Sequence, residues 1–264
     1  MKLAAKWLVR LSTPLLLAAF LAAWKAYVVI FAVSPFILPP PEAVAAGLAH
    51  VLREDLILTH IRVTLTETLL GFVIACAVGI GLGVVLGKVR WLERSLNPFI
   101  VATQVVPKIA LVPLFVMWFG FGLTSKVVIA AVLAFFPILT NTLLGIKSIE
   151  PGHRDVMASI NATRWDSFWA LDLPSALPYI LTGMEVGIVL ATIGAVVGEY
   201  LGGNQGLGHL AVDTMAAFET ESLFGVIVLL TALGFALHMG IVGLSRLLIP
   251  WHGAAIIRPQ KERA

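Results

Sequence analysis

Long apolar segments separated by short polar ones dominate the chain. A helix needs about 20 mostly apolar residues to cross the hydrocarbon core of a bilayer. Six segments meet this length, and they run roughly from Pro14 to Val33, Leu65 to Gly87, Phe99 to Phe119, Val127 to Ile146, Leu177 to Tyr200 and Leu223 to Ile249. The pattern predicts an all-α integral membrane protein with six transmembrane helices.

The composition agrees with a membrane protein. Of the 264 residues, 59% are hydrophobic and 12% are charged, and the mean hydropathy is +0.97. One soluble core could not enclose so much apolar surface. A net charge of +3 would suggest nucleic acid in a soluble protein, but here the basic residues flank apolar segments, so we predict no nucleic-acid partner. The single cysteine, Cys76, excludes an intrachain disulfide and a thiolate metal site.

The distribution of Lys and Arg predicts the orientation. With a cytoplasmic amino terminus, the outer segments contain only Arg53, Arg62 and Lys126. The inner segments then contain Lys2, Lys6, Arg10, Lys88, Arg90, Arg94, Lys147, Arg154, Arg164, Arg246, Arg258, Lys261 and Arg263. Because cytoplasmic loops carry an excess of basic residues, we predict that both termini and the polar segment 150–178 are cytoplasmic. The chain then divides into a first span with an outer amphipathic segment (1–63), a transmembrane core (64–250) and a cytoplasmic tail (251–264).

Local signals in the polar segment predict two short helices joined by a tight turn. Pro151 suits the first turn of a helix, and Asn161 tolerates the left-handed conformation that ends one. Thr163 is a good N-cap for the second helix, and Asp166 stands at the acidic position of a capping box. We expect the second helix to end at the Leu-Pro pair formed with Pro174.

Three aromatic residues of the second short helix share one face. Trp165, Phe168 and Trp169 have the i, i+3, i+4 spacing that places side chains side by side on a helix. An amphipathic helix lying on the lipid interface would explain this face, and so would a docking surface for a partner protein.

Five ionisable residues fall within or at the edges of the predicted spans: Lys25, Glu67, Lys108, Glu185 and Glu199. A charge there is costly unless it faces water or a partner. Lys25 and Glu67 can snorkel or pair, and Glu199, near the outer end of its helix, can be solvated. Lys108 and Glu185 are candidates for a translocation path, or for an ion pair between helices.

Proline and glycine indicate how the spans are shaped. Pro107 and Pro113 predict a kinked, pathway-lining third span. In the second span, Gly79, Gly83 and Gly87 form a small-residue ridge that lets another helix approach closely.

A glycine-rich loop follows the fifth span. The sequence GGNQGLG at 202–208 is too rich in glycine for a helix and predicts an outer re-entrant or gate-like turn. The outer location agrees with the acidic residues Asp213, Glu219 and Glu221 and the absence of Lys and Arg from Gly202 to Ser222.

Several catalytic motifs are missing from the sequence. It contains no phosphate-binding loop of the GxxxxGK(S/T) type, no HExxH zinc motif and no GxSxG elbow with a candidate triad. We therefore expect no ATP bound by that route, no metal site, no cofactor and no enzymatic activity.

The polar segment resembles the cytoplasmic EAA loop of permease subunits of bacterial binding-protein-dependent ABC importers. That loop has the pattern E-A-A, a glycine four residues further on, and a downstream Leu-Pro. Here Asp155 stands at the Glu position, Val156 and Met157 at the two alanines, and Asn161 at the glycine, while DLPSALP supplies the end.

Two further segments resemble permeases of the nitrate, sulfonate and taurine subgroup and related carriers of pyrimidine precursors. They run from Val105 to Leu139 and from Ile193 to Leu210, and the similarity extends from about Phe36 to Trp251. The resemblance implies the MetI-like fold of type I importer permeases and import of nitrate, a sulfonate, taurine or a related small organic compound across the inner membrane.

The same resemblance implies the partners. In such importers two permease subunits enclose the path, a binding protein outside the cytoplasm delivers the solute, and two cytoplasmic ATPase subunits drive alternating access. The EAA helices sit in a groove on each ATPase. The expected coupling residues are Arg154, Asp155, Asn161, Arg164, Trp165, Asp166, Phe168 and Trp169. We expect a homodimer.

The expected translocation-path residues are Lys108, Glu185 and Glu199. An alternative hypothesis is an ion-coupled secondary transporter, in which Lys108 and Glu185 form the coupling pair. A secondary carrier should transport alone, whereas a permease should be inert without its ATPase.

Overall fold

The computed structural model describes residues 2–250, with side chains at 12 and 14–250, and the tail predicted at 251–264 lies outside the described residues. The described chain is helical, without strands. Its α-helices are α1 (Lys2–Ile30), α2 (Pro41–Val51), α3 (Ile57–Lys88), α4 (Arg90–Val105), α5 (Val112–Phe119), α6 (Leu123–Lys147), α7 (Pro151–Ser159), α8 (Arg164–Ser167), α9 (Leu173–Gly202), α10 (Leu207–Ala216) and α11 (Thr220–Leu248).

Four helical segments of the described chain are long and apolar enough to cross a membrane. They are α3, α6, α11 and the continuous helix Arg164–Gly202 that includes α8 and α9. A bent helix pair, Arg90–Val105 with Lys108–Phe119, counts as a fifth span if it is taken as one. The first predicted span falls on α1, whose apolar stretch Pro14–Ile30 is shorter. The all-α membrane architecture predicted from the sequence is confirmed.

The third predicted span differs from a single kinked helix. The prediction began it at Phe99, but α4 begins at Arg90, and the chain bends by 82° before α5. The bend lies beside Pro107, where a short 3-10 turn, Lys108–Leu111, replaces regular helix. Pro107 cannot donate a backbone hydrogen bond, which explains why the helix breaks at this point.

The core of the bundle lies between α3, α6 and α9. α6 packs lengthwise against both neighbours. The buried centre consists of Phe72, Ala75, Ala130, Ala134, Ile138, Ile188, Ala191 and Ala195. Small residues dominate this set, so the helix axes approach closely and dispersion contacts replace the hydrophobic effect, which is weak between helices in lipid.

The predicted glycine ridge of α3 faces α6. A Cβ built on Gly79 would lie 3.1 Å from Ile138 Cγ2, and one built on Gly83 would lie 2.6 Å from Thr142 Cβ. Gly81, on another face of the same helix, has nothing within 4 Å of such a Cβ. The close-packing interpretation of the ridge is therefore confirmed.

The second short helix of the polar segment does not end at the Leu-Pro pair. α8 continues through a π-helical turn, Phe168–Asp172, directly into α9, so the predicted stop at Leu173 and Pro174 is wrong. Pro174 lacks the N–H that a regular helix uses, and the wider π turn just before it relieves the clash with the preceding turn. The aromatic helix is therefore one rigid piece with a long span.

The bundle has two ends, which we name after the short helices they contain. The α7 end contains α7, α8 and the ends of α3 and α6 at Lys88 and Lys147. The α10 end contains α2, α10 and the beginnings of α3, α6 and α11. At the α10 end α2 packs on α11, and Lys25 of α1 forms a 2.9 Å ion pair with Glu42 of α2. Pairing was one of the two roles considered for Lys25.

We predict that Gly83→Ala destabilises the protein by about 1–3 kcal/mol, because the added methyl group overpacks the contact with Thr142. Gly81→Ala is the matched control on the same helix and should leave stability unchanged or slightly raised. Thermal unfolding of the detergent-purified protein measures both. Equal midpoints for the two variants would contradict close packing of α3 on α6.

Candidate functional site

A tight turn joins α7 to α8. Asn161 adopts a left-handed backbone with φ of 52°, as predicted. The N–H groups of Asn161 and Ala162 donate to the carbonyls of Ala158 and Met157, both at 3.0 Å, which pairs backbone groups left free at the end of α7. The turn fixes the angle between the two short helices.

The predicted capping box at the start of α8 is present. The Asp166 N–H donates to Thr163 Oγ1 at 3.2 Å, and the Thr163 N–H donates to Asp166 Oδ2 at 3.1 Å. The hydrogen bonds from the Thr163 side chain and backbone lower the pKa of the Asp166 carboxyl. Because the folded pKa lies below the unfolded one, the cap stabilises the helix above the ordinary range of an aspartate and is lost as pH falls through the lowered pKa.

The three aromatic side chains form one cluster at the α7 end. The rings of Trp165 and Phe168 stack at 6.1 Å between centroids, and Trp169 meets both edge-on, at 5.7 and 5.4 Å. Trp165 is 69% exposed and Trp169 53% exposed, whereas Phe168 is half-buried. The two tryptophans thus present a preorganised apolar surface that is largely exposed in the described chain.

An ion-pair joint fastens this surface to the bundle. Asp172, only 4% exposed, accepts from Lys88 at 2.6 Å, and Arg154 of α7 approaches its other oxygen to 3.9 Å. Lys88 Nζ also lies 4.7 Å from the centroid of the Phe168 ring. Arg154 additionally donates to the carbonyl of Ile146 at 3.2 Å. Together these contacts connect α7 and the π turn to the ends of α3 and α6.

Sequence reasoning did not find Asp172 or Lys88. Arg154, which was expected at the rim of a partner surface, contacts Asp172 and the carbonyl of Ile146 within the chain. Asp155 and Arg164 are exposed and have no ion pair within the described residues, so they remain available to a partner. Asp172 directly precedes a long apolar segment. An acidic residue in that position needs a partner, and this could have predicted its ion pairs from the sequence.

Lys108 and Glu185 each interact with a different part of the chain. Lys108 donates to the carbonyl of Gln104 at 3.3 Å and lies 4.7 Å from the centroid of the Phe136 ring. Glu185 accepts from the hydroxyl of Ser245 on α11 at 3.1 Å. The sequence had allowed an ion pair between these two residues. In the described part of the chain they do not form one. Both side chains are half-buried.

Glu199 is not solvated, contrary to one interpretation of its position. It is 0% exposed and accepts from the Thr64 hydroxyl and from the Gly208 N–H, both at 2.6 Å. The Leu207 N–H in turn donates to Thr64 Oγ1 at 2.8 Å. Glu199 therefore holds the beginning of α10 against α3.

The loop before α10 is held from the other side by His60. The Gly206 N–H lies 3.0 Å from His60 Nδ1, and Gly206 has a φ of 112°, which a residue with a side chain would rarely adopt. The predicted glycine-rich turn is therefore present but short, because α10 begins at Leu207. Three hydrogen bonds hold the loop and the beginning of α10, two from side chains of α3 and one from α9.

A buried ion pair lies next to this loop. Lys126, predicted for an outer loop, lies inside α6 at 4% exposure, and its ammonium is 3.0 Å from Glu67 Oε1. Glu67 is 1% exposed, so pairing, one of the two roles considered for it, is confirmed. Its Oε2 has no hydrogen-bond partner within the described residues. Because α3 and α6 each contribute one charge, the pair fixes their register.

A known protein family matches most of this chain. The model of the binding-protein-dependent transport system inner membrane component matches residues 77–251. The chain belongs to this family. It is the multi-pass inner-membrane permease of an ABC importer, in the nitrate, sulfonate and taurine group, and membership implies ATPase and binding-protein partners.

Curated relatives cover nearly the whole permease. It is 39% identical to a riboflavin transport system permease protein of Chloroflexus aurantiacus, over 92% of this chain and 91% of that one. It is 37% identical to a formylaminopyrimidine transport permease protein of Halalkalibacterium halodurans, over 82% and 86%. It is 31% identical to a taurine transport system permease protein of Escherichia coli, which it matches over 90% of its own length and 88% of that protein's.

A solved structure supports the fold. A chain from the inward-facing MetNI methionine ABC transporter aligns with a TM-score of 0.64 at 19% identity, covering 73% of this permease and 96% of that chain. The predicted MetI-like fold is thus confirmed.

We predict that Lys126→Met destabilises the permease by about 3–5 kcal/mol, because it leaves the buried carboxylate of Glu67 without its counter-ion. The double variant Glu67→Gln, Lys126→Met should recover a large part of that loss. Thermal unfolding in detergent of the wild type, both single variants and the double variant forms the cycle. Additive losses would show that the two side chains do not interact.

Proposed function

We propose that the polar segment 150–178 is the element through which the ATPase moves this permease. In this proposal α7 and α8 insert into a groove of the ATPase, Trp165, Phe168 and Trp169 fill that groove, and Asp155 and Arg164 form charge pairs at its rim. The permease itself carries out no catalysis and depends on the ATPase for energy.

The exposed aromatic cluster is the observation that supports this role best. Exposed tryptophans at a fixed, capped position supply a large contact area and lose little conformational entropy on binding. An amphipathic helix lying on lipid would need no turn of defined angle, whereas α7 and α8 are held by Asn161 and by the Thr163 capping box. This rigidity favours a protein partner.

The joint at Asp172 supports transmission of movement. α8 is continuous with α9, and Lys88 and Arg154 connect it to α3 and α7. A displacement of the aromatic cluster by the ATPase would therefore move α9 and α3 together. Since α6 packs between them, the whole core would respond as one body.

The orientation follows from the same proposal. The α7 end must face the cytoplasm, where the ATPase is, and the excess of Lys and Arg at that end agrees with this. Both termini are then cytoplasmic, and the α10 end with its anchored loop faces outward. A second copy of this permease completes the path.

The three residues expected to line the path differ in how the chain holds their side chains. Lys108 and Glu185 are half-buried with one hydrogen bond each to the chain, so either can turn toward a solute. Glu199 is committed to Thr64 and Gly208, and we propose that it acts on the path by holding the outer loop. A secondary transporter is disfavoured, because the chain belongs to the family of binding-protein-dependent importer permeases.

For the solute, we propose a small nitrogen heterocycle. The relatives with 39% and 37% identity are named for riboflavin and formylaminopyrimidine, and both compounds contain a pyrimidine-type ring. Relatives named for taurine and nitrate are less similar, at 31% and 28%. Taurine, a sulfonate or nitrate are therefore the second candidates.

The coupling role is tested with Trp165→Ala, Trp169→Ala. Removing both indoles should reduce recovery of the ATPase with affinity-purified permease by at least about tenfold, as expected for loss of aromatic hot spots at an interface. Trp118→Ala is the control, because Trp118 is also exposed but lies on α5. Undiminished ATPase recovery with the double variant would contradict the groove assignment.

The solute proposal is tested by uptake in the native strain after deletion of this chain. Restoring the chain should restore uptake of labelled formylaminopyrimidine, and unlabelled taurine in excess should not compete. Restored taurine uptake without heterocycle uptake would contradict the heterocycle proposal and favour the second group of candidates. Uptake by the permease in vesicles without any ATPase would contradict the whole transport proposal.

A further inference from the structure

A basic cleft lies at the α7 end beside the aromatic cluster, and Lys88, which lines the cleft, also contacts the ring of Phe168. The cleft has a volume of about 580 Å³. Five of its lining side chains are basic and one is acidic: Lys88, Arg90, Arg94, Lys147, Arg154 and Glu93. The buried side chains of Ile146 and Ile149 also line it. The cleft therefore combines a cationic rim with an apolar base.

Two of the cations have no counter-charge in the described chain. Lys147 pairs with Glu93 at 2.6 Å, while Lys88 and Arg154 share Asp172. Arg90 and Arg94 are exposed and make no ion pair or side-chain hydrogen bond within residues 12–250. They stand one turn apart on α4, so their guanidinium groups project from the same face.

The depth of the cleft matches that of lipid head groups. α3 and α6 end there, at Lys88 and Lys147, so the apolar part of the bundle stops at its edge. α4 leads away from it with no buried residue, and it exposes Trp91 and Phe99. Tryptophan beside basic residues at the end of an apolar span is typical of the membrane interface.

The cleft and the surface of α4 form one amphiphilic site. An arginine pair recognises phosphate oxygens through bidentate hydrogen bonds, and the apolar side chains of α4 offer a surface for acyl chains. A free phosphate ion would use the first feature only, and an acidic protein segment would not need the second. The ligand that uses both is a phospholipid with a net negative charge.

We propose that this cleft binds the phosphate head group of an anionic phospholipid, with Arg90 and Arg94 as the principal contacts. The inference rests on the proposed orientation, which places the cleft in the cytoplasmic leaflet. A lipid held there would contact α4 and the end of α6, and it would restrain both beside the joint that carries movement from the ATPase.

Native mass spectrometry of the detergent-purified permease–ATPase complex tests this site. With phosphatidylglycerol and phosphatidylcholine added in equal amounts, the wild type should retain phosphatidylglycerol. Arg90→Gln, Arg94→Gln should weaken that retention by about tenfold to thirtyfold, since each basic residue near a membrane surface contributes roughly one factor of five. Arg90→Lys, Arg94→Lys should keep part of it.

The control removes the same charge elsewhere. Arg53→Gln, Arg62→Gln changes two exposed arginines at the α10 end and should leave retention unchanged. Equal loss in both double variants would overturn the site, because it would show a general charge effect. Equal retention of the two lipids by the wild type would overturn it as well.

Two further measurements distinguish a phospholipid from a free phosphate ion and from the ATPase as the occupant of the cleft. Displacement of phosphatidylglycerol by millimolar inorganic phosphate would identify a free-anion site and overturn the lipid proposal. If the isolated permease retains phosphatidylglycerol but the permease–ATPase complex does not, the cleft belongs to the interface with the ATPase. That result would also overturn the lipid proposal. Failure here is distinguishable from failure of the coupling proposal, because Trp165 and Trp169 do not line the cleft.

Discussion

Charged groups inside a bilayer must find their partners within the protein, and this permease satisfies that constraint with two compact ionic clusters, one at each end of its core. At the α7 end, Asp172 is paired with Lys88 and approached by Arg154. At the α10 end, Lys126 pairs with Glu67, and Glu199 accepts from Thr64 and Gly208. Between the clusters the helices are packed through small side chains. The polar contacts therefore lie at the two ends of the bundle, and the tightly packed centre connects them.

This arrangement suits a protein that has to transmit movement. Close packing of α3, α6 and α9 makes the core stiff, because a shift of one helix would overlap the atoms of the next. At the α10 end, α2 and α10 pack against α3 and α11 through a buried apolar cluster. At the α7 end, by contrast, α7 and the π turn are attached to the bundle mainly by hydrogen bonds and ion pairs. Such attachments have defined geometry and can be exchanged for others at modest cost. We therefore expect the core to move as a unit while the α7 end changes its contacts.

The sequence predicted the features that depend on local chemistry. Four of the six apolar spans, the turn at Asn161, the Thr163 capping box and the glycine ridge of α3 follow from residue type and spacing, and all of these are present. The resemblance to importer permeases supplied the fold and the family. Within the candidate site, the aromatic face was also predictable, because i, i+3, i+4 spacing determines it.

Features that depend on tertiary contacts were missed. The helix end predicted at Pro174 is wrong, because the π turn before it accommodates a residue that has no N–H to donate. Residue spacing in the sequence does not predict such a turn. Lys126 and Glu67 are distant in sequence, so neither reveals its partner. Glu199 could be taken for a solvated residue because its position near a helix end allows that. Only the return of the chain through Gly206 shows that the loop covers it.

The central claim is that the aromatic cluster on α8 contacts the ATPase. Replacing Trp165 by a photoreactive phenylalanine analogue and irradiating membranes that contain the whole transporter tests this contact directly. The account predicts a cross-linked product with the combined mass of permease and ATPase, and none from the same analogue at Trp118. Cross-linking to lipid alone at Trp165, with an intact complex in the same membranes, would contradict it.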